Sequence, residues 1–125
     1  MLKRFFLIFP LLVGCNLSEK NIDPSLIRVE VLNGTGEMHL ARIVSMELRR
    51  KGFDVIIFGN AEDTLKNTVI FDRKSPDKKY AKVLAKSIGC KRVEFEPDPQ
   101  RICEVTIVIG KDYKKIFKDN LLFWK

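Results

Sequence analysis

Few residues of this chain are of a type that does chemistry, and their spacing narrows the choice further. His39 is the one histidine in 125 residues. A lone histidine supplies neither a zinc site nor a Ser-His-Asp triad, so it reads as an ordinary residue at a helix start. Glu94 and Glu96 stand two apart in an alternating run. They share an open face and lack the burial that raises a carboxyl into the range of an acid catalyst. Two glycine-bearing stretches remain, Asn33-Gly34-Thr35-Gly36 and Gly110-Lys111-Asp112. Both follow strand-like runs and precede helix-like ones, the setting in which free backbone N–H groups meet anions. Asn33, Gly34, Thr35, Gly36, Lys111 and Asp112 are therefore the candidate ligand-binding residues, with Lys111 adding charge and Asp112 orienting a hydroxyl. The plainer reading gives Asn33 and Gly34 a turn, starts a helix at Thr35 or Gly36, and makes Asp112 the cap of the last helix. Neither stretch is a P-loop or a dinucleotide fingerprint, which disfavours nucleotide binding. No catalytic residue, metal-ligand set or cofactor follows from the sequence.

The cysteines divide by position. Lys3 and Arg4 precede an apolar run, Phe5 to Val13, too short to span a bilayer as a helix, and the run ends in Leu12-Val13-Gly14-Cys15. This order of charge, apolar core and small residues before a cysteine resembles a bacterial lipobox. It implies a lipoprotein signal peptide over 1–15 and lipidation of Cys15 by a diacylglycerol, with palmitate-type acyl chains. Two acyl chains anchor stably where one is marginal. Polar residues 16–25, including Pro24, read as a tether. Cys90 and Cys103 are expected as two buried thiols, although export would permit a disulfide.

The elements that must position these groups are written in period. Ile27, Val29 and Val31 alternate with Arg28 and Glu30 as a half-buried strand. Met38, Ala41, Val44 and Leu48 then fall on one helical face, leaving Glu47 with the basic residues for solvent, and Gly52 stops the helix. Phe53–Phe58 reads as a strand with Phe53, Val55 and Ile57 inward, and Gly59–Asn67 as a polar loop. Thr68–Asp72 follows, with Val69 and Phe71 inward. Ser75-Pro76-Asp77 has the chemistry of a helix start, and Tyr80, Ala81, Leu84, Ala85 and Ile88 supply the buried face. Arg92–Glu96 and the apolar Glu104–Ile109 are further strands, and residues 114–125 form a C-terminal helix. The expected fold is α/β (α+β): a two-layer sandwich with a mixed sheet of about five strands and two main helices on one face, in the order β-α-β-β-α-β-β plus the last helix. The expected spatial order is 4-5-1-3-2, with the fifth strand parallel to the first.

VEVLNGTG, LARIVSMELRRKGFDV, NTVIFDR and VTIVIGKDY together resemble LytR_C, the C-terminal domain of LytR-CpsA-Psr proteins, over Ile27 to Tyr113. The chain departs from that pattern at Met38-His39, where the family carries a small residue, usually glycine. The resemblance implies an accessory domain, placed here at 26–113. The phosphotransferase that joins glycopolymers to peptidoglycan lies in a separate, larger domain for which 125 residues leave no room.

Charge fits this context. The chain carries +7, and removal of Lys3 and Arg4 with the signal segment leaves +5. A basic surface usually marks nucleic acid or anionic membranes, and export makes nucleic acid a poor partner. The expected partners are the membrane through the lipid on Cys15, peptidoglycan or an anionic glycopolymer, and an envelope protein. The sequence thus reads as a non-catalytic, lipid-anchored cell-envelope protein. The alternative is an accessory subunit of a glycopolymer-handling phosphotransferase complex.

Overall fold

A computed structural model describes residues 22–100 and 102–117. The signal segment, Cys15, most of the expected tether and Leu121, Phe123 and Trp124 lie outside the described residues. Ile22 already packs against the core, and Pro24–Leu26 forms a 3-10 turn whose first N–H groups are served by Asp23.

The first alternating run becomes β1 (Arg28–Asn33), with Val29 and Val31 fully buried. α1 (Leu40–Arg50) lays Leu40, Ala41, Val44 and Leu48 on that face, and β2 (Asp54–Asn60) returns parallel to β1. The same arrangement recurs in β3 (Val69–Asp72), α2 (Lys79–Ile88) and β4 (Val93–Phe95), where β4 is parallel to β3. β5 (Val105–Ile109) lies between the two units, parallel to β1 and antiparallel to β3, and α3 (Tyr113–Ile116) is a single turn after it. The two β-α-β units run in opposite directions, so right-handed crossovers put both helices on the same face. One core joins them, from Val31 and Ile107 to Leu48 and Leu84. The fold is α+β, a mixed five-stranded sheet with its main helices in one layer.

The strand order is β2-β1-β5-β3-β4, not 4-5-1-3-2. The parallel neighbours β1 and β5 stand as expected, but β2 and β3 occupy opposite halves of the sheet. The α1 crossover returns β2 directly beside β1. Loop 61–67, too long for a tight hairpin, carries the chain over the ends of β1 and β5 to start β3 on the other side.

Local phases also differ. In β3 it is Ile70, paired with Ile107, that enters the core, while Val69 and Phe71 take the other face. A register shift opposite Val29/Glu30 sets Ile57 beside Glu30, away from Val55's face and 44% exposed. Glu47 is buried rather than solvated, and Arg50 grips its carboxylate at 2.7 and 2.9 Å. Met38 is 75% exposed because α1 begins only at Leu40. The residue before Leu40, His39, has φ 66°, a left-handed conformation that glycine adopts without strain. Lys78 occupies the equivalent position before α2 with φ 62°, so that helix cannot start at Pro76. The capping expected of Ser75 falls instead to buried Asp72. Its Oδ2 accepts from the N–H groups of Tyr80 and Ala81, and its Oδ1 from those of Lys74 and Ser75.

Candidate functional site

The candidate residues come together at the end of the sheet where β1 and β5 finish. The Gly34 N–H donates to Ile109 O at 2.8 Å, and a Cβ on Gly34 would stand 2.8 Å from that same oxygen. Gly110 is as tightly held, since a Cβ there would meet the backbone of Asn67 and, at 2.7 Å, the Thr68 nitrogen. Only residues without side chains fit at these two crossings. Loop 61–67 is strapped across them: Leu65 N–H donates to Gly34 O, and Lys111 N–H donates to Leu65 O.

The strap divides this end into two depressions. The first, about 480 Å³, is lined by Asn33, Gly36, His39, Glu37, Glu62 and Asp63, among others. Asn33 organises its floor. Its Oδ1 accepts from the Thr35 N–H at 3.0 Å and hydroxyl at 2.6 Å, its Nδ2 donates to Glu37 O, and Thr35 Oγ1 accepts from the Glu37 N–H. The N–H groups of Gly34, Thr35 and Glu37 are thus occupied by the protein itself. With three carboxylates around it, this depression suits hydroxyl or amine donors rather than phosphate.

The second depression, about 340 Å³, is lined by Asn67, Thr68, Cys90, Lys91, Arg92 and Asp112, among others. Asp112 stands at the helix-start position of α3 but makes no cap bond with its side chain. Its Oδ1 accepts from the Thr68 N–H at 2.9 Å and hydroxyl at 2.7 Å, and Thr68 Oγ1 in turn accepts from the Gly110 N–H. The tie across to β3 takes precedence because it satisfies groups buried at the strap. Lys111 is exposed. Asn33–Gly36 and Asp112 therefore share an end of the sheet but line different depressions. Asn67, Lys91 and Arg92 were not among the sequence candidates. Their signal was faint, two cations one residue beyond the glycine that stops α2 and an asparagine shortly before β3.

Cys90 and Cys103 are both buried thiols. Burial pushes the Cys90 thiol up, despite the opposing bond from the backbone at Arg92. His39 is an exposed helix-start residue. Among the described residues no group of three His, Cys, Asp or Glu side chains is placed to hold a metal, and no helix is long and apolar enough to cross a membrane.

LytR_C, described as "LytR cell envelope-related transcriptional attenuator", matches residues 26–113. The chain belongs to this family. The LytR_C match spans every strand and helix from β1 to the start of α3. Among solved structures, the soluble domain of a conserved hypothetical secreted protein from Mycobacterium marinum is similar, with a TM-score of 0.57 and 17% identity over 77% of this chain and 68% of that one. At that identity the likeness concerns the fold. No curated protein matches the chain. Within the LytR_C domain, the strapped end of the sheet is where this chain's NGTG and VIGKD segments meet, with Asn33, Glu37, Glu62 and Asp63 lining the depression on one side of the strap and Asn67, Asp112, Lys91 and Arg92 lining that on the other.

Proposed function

We propose that this protein is an exported envelope lipoprotein, held on a bacterial membrane by acyl chains on Cys15, whose LytR_C domain is a non-catalytic binding module. The observation that carries this reading is the order of the chain. A Lys3-Arg4 apolar segment ending in Leu12-Val13-Gly14-Cys15 is followed, after a short polar stretch, by a domain of an envelope-related family. Ile22, where packing on the core begins, stands seven positions after Cys15, which limits the reach of the tether to about 25 Å. The domain would work close to its membrane, on envelope polymers or proteins within that distance. Metabolic labelling with radioactive palmitate tests the anchor. The wild-type chain should take up label and sediment with membranes, and Cys15→Ser should do neither. Label retained in the variant, or a soluble wild type, would refute it.

LytR_C membership also favours a second reading, an accessory subunit of a glycopolymer-handling phosphotransferase. That reading requires a catalytic partner whose rate falls with Asp112→Ala, and an unchanged rate removes it.

A further inference from the structure

The second depression has a consistent chemistry that the sequence candidates did not contain. Lys91 and Arg92 line it, Lys86 stands exposed on the last turn of α2, and Lys114 and Lys115 stand exposed on α3. The bordering segments 64–68, 86–94 and 110–117 hold only two acids among the described residues, Glu94 and Asp112. Glu94 pairs with Arg92 at 3.3 Å, and Asp112 is fixed by Thr68. In the lining itself Lys91 and Arg92 outnumber the one acid, Asp112, and a concave setting strengthens their field, to which the exposed lysines of the bordering segments add.

The lining is more specific than a basic patch. The amide of Asn67 and the carboxylate of Asp112 are planar polar groups of the kind that pair with neighbouring hydroxyls, and the Thr68 bonds hold Asp112 in place before any ligand arrives. Ile116 adds an apolar surface for the C–H face of a ring. Position matters as well. The chain enters the domain at Pro24–Leu26, beside the start of β1, whereas the depression lies at the end where β1 finishes. A six-residue strand, roughly 20 Å, separates the two. With the tether end toward the anchoring bilayer, the depression opens away from it.

We propose that the depression between α2 and α3 binds an anionic glycan, a polymer whose sugars carry phosphate or carboxylate groups: the cations take the acidic substituent while Asn67 and Asp112 take hydroxyls. This rests on the envelope reading above and names the ligand class of that module.

The test is co-sedimentation of the full-length protein, in detergent micelles, with sacculi that retain their anionic polymers, with sacculi stripped of those polymers, and with phosphatidylglycerol vesicles. At ~0.3 M salt, where exposed charges more than several Å apart are screened, wild type should stay on the intact sacculi and leave the other two. Lys91→Glu with Arg92→Glu should weaken retention by about tenfold or more. Asn67→Ala should weaken it several-fold. Lys74→Glu with Lys82→Glu, an equal change of net charge on exposed residues elsewhere, should leave it within about twofold. Equal losses in both charge-reversal pairs would reduce the effect to net charge, and preference for vesicles would make the ligand a lipid. Either result, no retention at all, or indifference to Asn67→Ala overturns the proposal. Thermal melts confirm folding of each variant, and palmitate labelling at Cys15 reports the anchor separately, so failure here leaves the lipoprotein reading to its own test.

Discussion

The two β-α-β halves of the sheet use the same backbone devices with different chemistry. In each, a strand ends in a short polar side chain, Asn33 or Asp72, and six residues later a left-handed His39 or Lys78 starts the helix. In the first half the amide of Asn33 closes a turn on itself, and α1 begins without a side-chain cap. In the second the buried carboxylate of Asp72 reaches forward and holds the first N–H groups of α2. A charge is used where the helix must be fixed from outside, and a neutral amide where only the loop needs closing. The surfaces diverge too. Glu37, Glu62 and Asp63 surround the Asn33 turn, while across the strap Lys91 and Arg92 line the second depression and Lys86 stands exposed on the last turn of α2. Equivalent scaffolds thus present opposite fields on either side of one strap.

The largest test of this contrast is Asp72→Ala against Asn33→Ala. Losing Asp72 strands four N–H groups, two of them on α2, and should cost about 4 kcal/mol or more in chemical denaturation. Losing Asn33 should cost about 1–2 kcal/mol, since loop N–H groups can turn to water. Equal costs would mean that the two turns are not specialised. Next come the crossings beneath the strap. Gly110→Ala pushes a methyl into the Asn67–Thr68 backbone and Gly34→Ala into Ile109 O. Each should cost about 1–3 kcal/mol, with Gly110→Ala the worse because three backbone atoms stand in the way rather than one, as thermal unfolding would measure.

The third test concerns β5, which joins the halves. Burial pushes Glu104 up, but the bonds and charge of Arg28 outweigh this and hold its carboxyl below the ordinary 4.5. A depressed carboxyl stabilises the fold above its unfolded value, and that contribution is lost as pH falls through the folded one. The melting difference between wild type and Glu104→Gln should therefore be constant near neutrality and shrink below about pH 4.5. A difference that grows in acid would contradict the pairing. The smallest effect is a gain. His39→Gly and Lys78→Gly relieve left-handed strain at the two helix starts, by up to about 1 kcal/mol each after the added freedom of glycine when unfolded. A loss at either position would show that its side chain contributes more than its backbone costs.

Much of this architecture is set by the sequence alone. Alternation at Val29 and Val31, the helical faces of Leu40–Leu48 and Ala81–Ile88, and the apolar β5 name the elements, because burial on one side leaves a period that neighbouring residues must obey. The meeting of the Asn33 and Gly110 segments follows once β1 and β5 are parallel neighbours. Other features were decided only by the tertiary structure. The phase of β3 is illegible because Val69, Ile70 and Phe71 are all apolar and either face could be the inner one. The place of β2 depends on whether loop 61–67 turns back or crosses, and the backbone contacts that settle it are long-range: Leu65 to Gly34 and Lys111 to Leu65. Asp72 as a distant cap, Asp112 as a tie to Thr68 44 positions away, and the cationic depression beside it join residues far apart in the chain. Periodicity reports what each segment buries, whereas partners so far apart are chosen by the packing of the sheet.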